Sequence, residues 1–376
     1  MKTCSGIIIS PGKSKDFGPL AYTRPDYMLP FGGRYRLIDF ALSNMANYNI
    51  SHVVLFAGNN VRSTLDHIGN GSDWELNRRK NGLLINPMSY DEYTKHPSAI
   101  YTYHDAIPFF KSVAHENIYI EDPMILAKPD ISSAYDDFLE NDYDVMILYK
   151  KEMDEQGYFN GMKKLVLDEE GRFLNIGYNL GTKTEVDMGL GRIFIKTKVF
   201  IDLVEDAIEN GSADTIMKAI QNHRKRLKIG TYKIDSRTSF IYDINSYYRA
   251  NMKLLDPVSY RELFNEGGMV YTKAKDEPST LYTETAKSSN SLVANGCIIE
   301  GQVENSVIFR GVHVHKNAIV RNCILNQDAV VKEDAVCVNT ITDKNAVIGK
   351  GVTIAGAINN PYVVAKGQEI RNSDFI

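Results

Sequence analysis

The chain has 376 residues, 43% of them apolar and 24% charged, with a formal net charge of −4. That length allows two domains and a large core, and the composition is that of an ordinary globular protein. A strongly basic nucleic-acid or anionic-membrane binder is excluded, and no apolar run approaches membrane length.

Met1 to Ser10 is too short for a signal peptide and is followed at once by Pro11-Gly12. Cys4, Cys297, Cys323 and Cys337 lack zinc spacing, and a chain this size needs no disulfides. A reducing, cytoplasmic setting is the simplest expectation.

The first strand-like run is Ile7-Ile8-Ile9, and the next is Val53-Val54-Leu55-Phe56. Both are short, branched and bounded by turn formers. Between them Leu37, Ile38, Ala41, Leu42 and Met45 recur at helical spacing, which predicts a βαβ unit with parallel strands. Gly32-Gly33 lets backbone approach a ligand at the carboxyl end of the sheet; a plain tight turn is the alternative. Arg36 and Asp39 read as packing and helix-start residues. Val61 to Ile68 reads as helix, and residues 70–98, with Asn-Gly, Asn-Pro and His-Pro breakers, as a long loop. Strands are predicted at Ile100–Tyr103, Met124–Ala127, Val145–Tyr149 and Ile193–Ile195. A hairpin is predicted from Leu165-Val166-Leu167 and Phe173–Ile176. Phe200–Ile208, Ala213–His223 and Ser246–Leu255 read as helices. Residues 1–255 are thus expected to be a doubly wound α/β domain with inserted antiparallel pieces, and 256–290 a polar linker.

From about residue 291 the period becomes six. Val312, Ala318, Ile324, Val330, Val336, Thr342, Ile348 and Ile354 fall in one register. An inward residue at every sixth position predicts a hexapeptide-repeat parallel β-helix over 291–376. Its flat faces and open ends lead us to expect oligomer contacts there.

Pro30 to Asn44 resembles, almost residue for residue, the PFGG-x-YRLIDF-x-LSN signature of glucose-1-phosphate adenylyltransferases, the ADP-glucose pyrophosphorylases. The resemblance runs on into the C-terminal repeats. It implies a Rossmann-like, GT-A-like nucleotidyltransferase domain followed by a left-handed parallel β-helix used for assembly and effector response. It also implies the reaction ATP + glucose-1-phosphate to ADP-glucose + PPi, in glycogen biosynthesis.

Where chemistry should sit, the chain departs from the pattern. The family's AGG-x-G-x-RL-x-PL loop falls on Ser10–Leu20, anchored by Gly18-Pro19-Leu20. Its first glycine is then Pro11, its third Ser14 and its arginine Asp16. Proline removes a donor N–H, and aspartate sets a negative charge where triphosphate would lie. In RAKP-x-x-PFGG the arginine is kept as Arg24, but the lysine becomes Asp26. One metal aspartate falls on Lys128, or on Asp130 after a two-residue shift. The other, counted back from the SYY-x-AN run Ser246–Asn251, falls on Phe240, with Asp243 three residues out of register. The sugar-phosphate lysine falls on Asn179, and the following S-M-G survives in part as Asp187-Met188-Gly189.

The resemblance therefore implies a degenerate nucleotide pocket at Gly12, Lys13, Lys15, Arg24, Gly32, Gly33 and Asp105. A degenerate sugar side would comprise Asn179, Asp187, Met188 and Gly189. No catalytic or metal-binding residue is assigned and no cofactor is expected; Mg²⁺ would be needed only by an active enzyme. The expected function is that of a regulatory subunit with a homologous catalytic ADP-glucose pyrophosphorylase subunit as partner. A sugar-phosphate or nucleotide effector is a further ligand class. Three alternatives stay open: an active enzyme rebuilt around Lys13, Lys15, Lys128 and Asp130; a β-helix acyltransferase with His313 or His315 as base; and a metal-free sensor that holds a phosphorylated ligand through Arg24, Lys13 and Lys15.

Overall fold

The computed structural model describes residues 1, 3–10, 14–58, 60–78, 81–87 and 99–372. The chain groups into two compact units. The first comprises residues 1–11, 41–61 and 69–236, and the second residues 12–40, 62–68 and 237–376.

The first unit is built on one sheet. Its strands are β1 (Cys4–Ile9), β2 (Val53–Ala57), β3 (Leu83–Pro87), β4 (Asn117–Glu121), β5 (Val145–Met153), β6 (Glu185–Lys196) and β7 (Ile229–Lys233). The spatial order is β7-β5-β6-β4-β1-β2-β3. Every pairing is parallel except those of β6, which runs antiparallel to β4 and β5. The predicted βαβ unit is present: β1 pairs with β2 from Gly6 opposite Val53 to Ile9 opposite Phe56, and the helix Leu37–Asn47 connects them. The hairpin is present too, as Lys163–Leu167 against Phe173–Tyr178. Ile7, Val54, Ile118, Ile147 and Ile195 form part of one core with Phe200, Leu203 and Val204 of the helix Thr197–Asn210.

Two sequence expectations change in this unit. Ile100–Tyr103 is not a strand but part of the helix Ala99–Asp105. Its apolar residues continue as Ile100, Tyr103, Ile107 and Phe110, all buried, which is helical spacing carried across a second short helix. Residues 70–98 are not wholly loop: Trp74 is fully buried, and Leu83–Pro87 forms an edge strand, where a terminal proline costs no ladder bond. Residues 88–98 lie outside the described residues. The central strand β4 escaped notice because only Ile118, Tyr119 and Ile120 are apolar, while it ends on the buried carboxylate Glu121.

In the second unit three parallel sheets of six, five and five strands run from Leu281–Tyr282 to Glu369–Ile370. Each strand pairs with its counterpart one coil on, so Val303 faces Val320, then Cys337, then Ile354. The step from Asn322 to Asn339 is 17 residues rather than three full hexads. The corners explain the number. Gly311, Asn317, Asn322, Asp328, Asp334, Asn339, Asn345 and Gly351 all turn with φ between 46° and 68°. Asn and Asp tolerate that left-handed conformation better than other side chains. Corners at 317 and 322, and at 334 and 339, enclose a side one residue short. The apolar register therefore steps by one in each of these 17-residue coils. Val330 and Val336, expected inside, are only half-buried, while Val331 and Cys337 are fully buried in their place. The asparagine side chains also stack: Asn322 Nδ2 donates to Asn339 Oδ1 at 3.1 Å, and Asn339 Nδ2 to the Gly356 carbonyl at 3.0 Å.

This register makes a direct prediction. Val331→Ala should cost about 2 kcal/mol of stability and Val330→Ala under about 1 kcal/mol in urea denaturation. Equal costs at the two positions would contradict the 17-residue coil.

Candidate functional site

In the second unit the signature stretch forms a hairpin. Pro30–Phe31 pairs antiparallel with Tyr35–Arg36, and Gly32 (φ 60°) and Gly33 (φ 80°) make the turn. What the glycines admit is protein. A Cβ on Gly32 would lie 3.1 Å from Leu254 and 3.2 Å from Phe264, and one on Gly33 would lie 3.5 Å from the Ile308 carbonyl. The Gly32 N–H donates to Asn251 Oδ1 at 3.0 Å, and the Tyr247 hydroxyl donates to the Pro30 carbonyl. Tyr35 stacks on Phe264 with centroids 5.0 Å apart, and Phe40 packs against both rings. The glycines thus bring the turn close to Leu254, Phe264 and the backbone of the coils.

Arg24 has a comparable position. Its Nη2 donates to Asp343 Oδ1 at 2.9 Å and Oδ2 at 2.8 Å, with the two side chains 6% and 0% exposed. The cation expected beside phosphate is closed on a carboxylate of the coil. Asp26, where the pattern has lysine, is buried and accepts the Tyr27 N–H at 2.8 Å. Arg36 donates from Nη1 to the Met28 carbonyl at 2.8 Å, and its N–H reaches Asp39 Oδ2 at 3.0 Å, so both residues have the packing and helix-start roles expected of them. Burial, with Arg24 nearby, holds Arg36 below the usual arginine range. Gly12 and Lys13 lie outside the described residues. Lys15 falls in the short helix Ser14–Ala21.

The sugar-side positions belong to the first unit. Asn179 is fully buried. Its Nδ2 donates to Asp154 Oδ2 at 3.3 Å and its Oδ1 accepts the Gly181 N–H at 3.1 Å. An amide tied at both ends inside a turn cannot take the place of an exposed lysine. Asp187, Met188 and Gly189 lie on β6 opposite Lys151, Lys150 and Tyr149. Met188 is buried; Asp187 lies 3.8 Å from Lys151 Nζ and pushes that lysine upward. Asp105, half-exposed, ends its helix beside His104, 3.9 Å away.

The residues at the expected metal positions do not fit Mg²⁺, which needs carboxylate oxygens. Phe240 is buried and apolar. Asp243 caps the helix Ile244–Met252 in a capping box: its Oδ1 accepts the Ser246 N–H at 2.7 Å, and its own N–H donates to Ser246 Oγ at 2.9 Å. Asp130 Oδ1 accepts the Ser132 N–H at 2.9 Å and opens the helix Ser132–Glu140, and Lys128 carries the wrong charge.

Sequence reasoning missed one buried polar cluster. Arg192 Nη2 donates to Glu121 Oε1 at 2.7 Å and to the Ala127 carbonyl at 3.1 Å. Asn44, the last residue of the signature, donates from Nδ2 to the same Glu121 oxygen at 2.7 Å and to Ala127 at 3.1 Å. Burial opposes the Arg192 charge most strongly, but Glu121 together with Tyr119 and Tyr48 offsets it and holds the guanidinium above its ordinary value. The sequence signal was a charged residue in each of two neighbouring apolar strands.

Residues 5–162 match the nucleotidyl transferase family, and residues 278–360 match the GlmU-like C-terminal hexapeptide family. The chain is 31% identical over 344 residues to the glycogen biosynthesis protein GlgD of Bacillus subtilis (strain 168), covering 90% of this chain and 89% of that protein. It is 30% identical over 317 residues to GlgD of Geobacillus stearothermophilus, covering 84% and 82%. To the glucose-1-phosphate adenylyltransferase of Bacillus cytotoxicus it is 27% identical over 388 residues, covering 99% and 96%.

Removing one partner of the buried pair should expose its structural weight. Asp343→Leu should cost about 3–5 kcal/mol, because Arg24 is left charged and buried, and adding Arg24→Met should recover most of that loss in chemical denaturation. A single substitution without effect would mean that the pair is solvated.

Proposed function

Since the chain belongs to the ADP-glucose pyrophosphorylase family, we propose that it is a catalytically degenerate, regulatory subunit of that enzyme, acting in bacterial glycogen biosynthesis in the cytoplasm. Its partner is a homologous catalytic subunit, which supplies the chemistry. This chain shifts that subunit's rate or effector response through shared interfaces. A sugar phosphate or nucleotide is the effector class expected.

The observation that carries the reading is the closure of Arg24 on Asp343. Nucleotidyl transfer to a sugar phosphate needs cations around the phosphates and Mg²⁺ on carboxylates. At the corresponding positions this chain has a guanidinium already paired, a buried amide in Asn179, a buried ring in Phe240 and two aspartates that open helices. The same facts weigh against an active enzyme rebuilt around Asp130. They also weigh against Arg24 as the anchor of a metal-free sensor. Meanwhile the sheet, the hairpin and the coils keep well-filled cores. Undirected decay would damage cores as readily as sites, so retention of the scaffold supports a role in assembly.

The test is mixing. Added in equal amount to the catalytic subunit from the same cell, this chain should co-elute with it in size-exclusion chromatography. It should also shift the half-saturating ATP or effector concentration at least about twofold. No complex and no kinetic change at a tenfold excess of this chain would sink the proposal.

A further inference from the structure

We propose that the β-helix wall carries a transition-metal site of the Zn²⁺ class, formed by His313, His315 and Glu300. It is independent of the regulatory reading.

His313 opens the two-residue strand His313–Val314 and His315 follows it directly, with the fully buried Val314 between them pointing into the coil. Strand alternation puts both imidazoles on the outer wall. Ile298 pairs with His313 and Ile299 with Val314, so Glu300 extends the same ladder on the preceding coil. The Glu300 N–H bonds to the Val314 carbonyl at 2.8 Å and the His315 N–H to the Val331 carbonyl at 2.9 Å. The backbone under the cluster is therefore fixed by the sheet, which gives a ligand set better precision than a loop does.

The side chains converge. The two rings stack with centroids 3.7 Å apart and planes inclined by 22°. His313 Nε2 lies 2.9 Å and His315 Nδ1 3.6 Å from one atom, Glu300 Oε2. One ligand atom from each of the three residues lies within 4.8 Å of the others. Glu333, on the following coil, offers Oε1 at 3.7 Å from His315 Nδ1 as a fourth donor. Donors on a tetrahedral Zn²⁺ at about 2.1 Å lie roughly 3.4 Å apart, a spacing that the 2.9, 3.6 and 3.7 Å separations bracket. The 3.6 Å approach is too long for a hydrogen bond, so hydrogen bonding alone leaves His315 unused by the carboxylate it faces. Lys332, in the following coil, is paired with Glu369 at 3.1 Å. Two imidazoles with one or two carboxylates suit Zn²⁺, Cu²⁺ or Ni²⁺ rather than the oxygen-seeking Mg²⁺ or Ca²⁺. Because the donors come from successive coils, a bound ion would staple the coils together.

The test uses the full chain without an affinity tag. Titration with Zn²⁺ alone should give one equivalent bound in the micromolar range and raise the melting temperature by a few degrees. Co²⁺ substitution should give a visible absorption band from nitrogen–oxygen coordination. His313→Ala/His315→Ala should weaken Zn²⁺ binding by at least about tenfold, while Glu300→Gln, a milder change, should weaken it and keep the fold. The far-ultraviolet circular dichroism of each variant verifies folding. No binding tighter than about 1 mM would overturn the proposal, as would binding that survives the double substitution in a folded protein.

Discussion

A buried charge needs its partner, and the pair of Arg24 with Asp343 sets what this chain can do elsewhere. For Arg24 Nη2 to turn toward a phosphate, Asp343 would be left fully buried with no cation and only the Lys344 N–H on its carboxylate. Breaking such a pair from one side costs about 3–5 kcal/mol, a factor of roughly a hundred to several thousand in any equilibrium that requires it. A ligand that drew Nη2 away from Asp343 would have to supply that free energy before gaining affinity. The guanidinium therefore fastens the stretch before the hairpin to the coil in the same unit.

The same conversion runs through the other positions. A lysine in the family pattern is an aspartate that receives a backbone N–H at Asp26, and another is an amide inside a turn at Asn179. A metal carboxylate is a ring at Phe240. Each replacement gives a polar group local partners or removes it, as burial demands. What survives is packing: Gly32 against Leu254 and Phe264, Tyr35 on Phe264, and Asn44 with Arg192 around Glu121. The family signature in this chain is a record of how the parts of each unit fit together.

Much of this was legible in the residues. Ile7–Ile9 and Val53–Phe56 are apolar on both faces, as strands in the middle of a parallel sheet must be. The six-residue period announced the coils. Other features were hidden for physical reasons. Three apolar residues between Asn117 and the carboxylate Glu121 do not announce a central strand, so β4 was missed. A short apolar run cannot by itself separate helix from strand, so Ile100–Tyr103 was misassigned. The 17-residue coil could be read only from asparagine and aspartate at the corners, because the apolar pattern alone tolerates a one-residue slip. The Asp343 partner of Arg24 is far away in the chain, and no local pattern reports a contact of that separation.

The measurement that bears most directly on the account is pyrophosphate release by the purified chain alone, with saturating ATP, glucose-1-phosphate and Mg²⁺. The account predicts turnover far below the usual enzyme range of about 1–10³ s⁻¹, with no gain on adding more Mg²⁺. A kcat above about 1 s⁻¹ that disappears with chelator would contradict it, because the chain would then hold its phosphates and metal with residues given structural roles here.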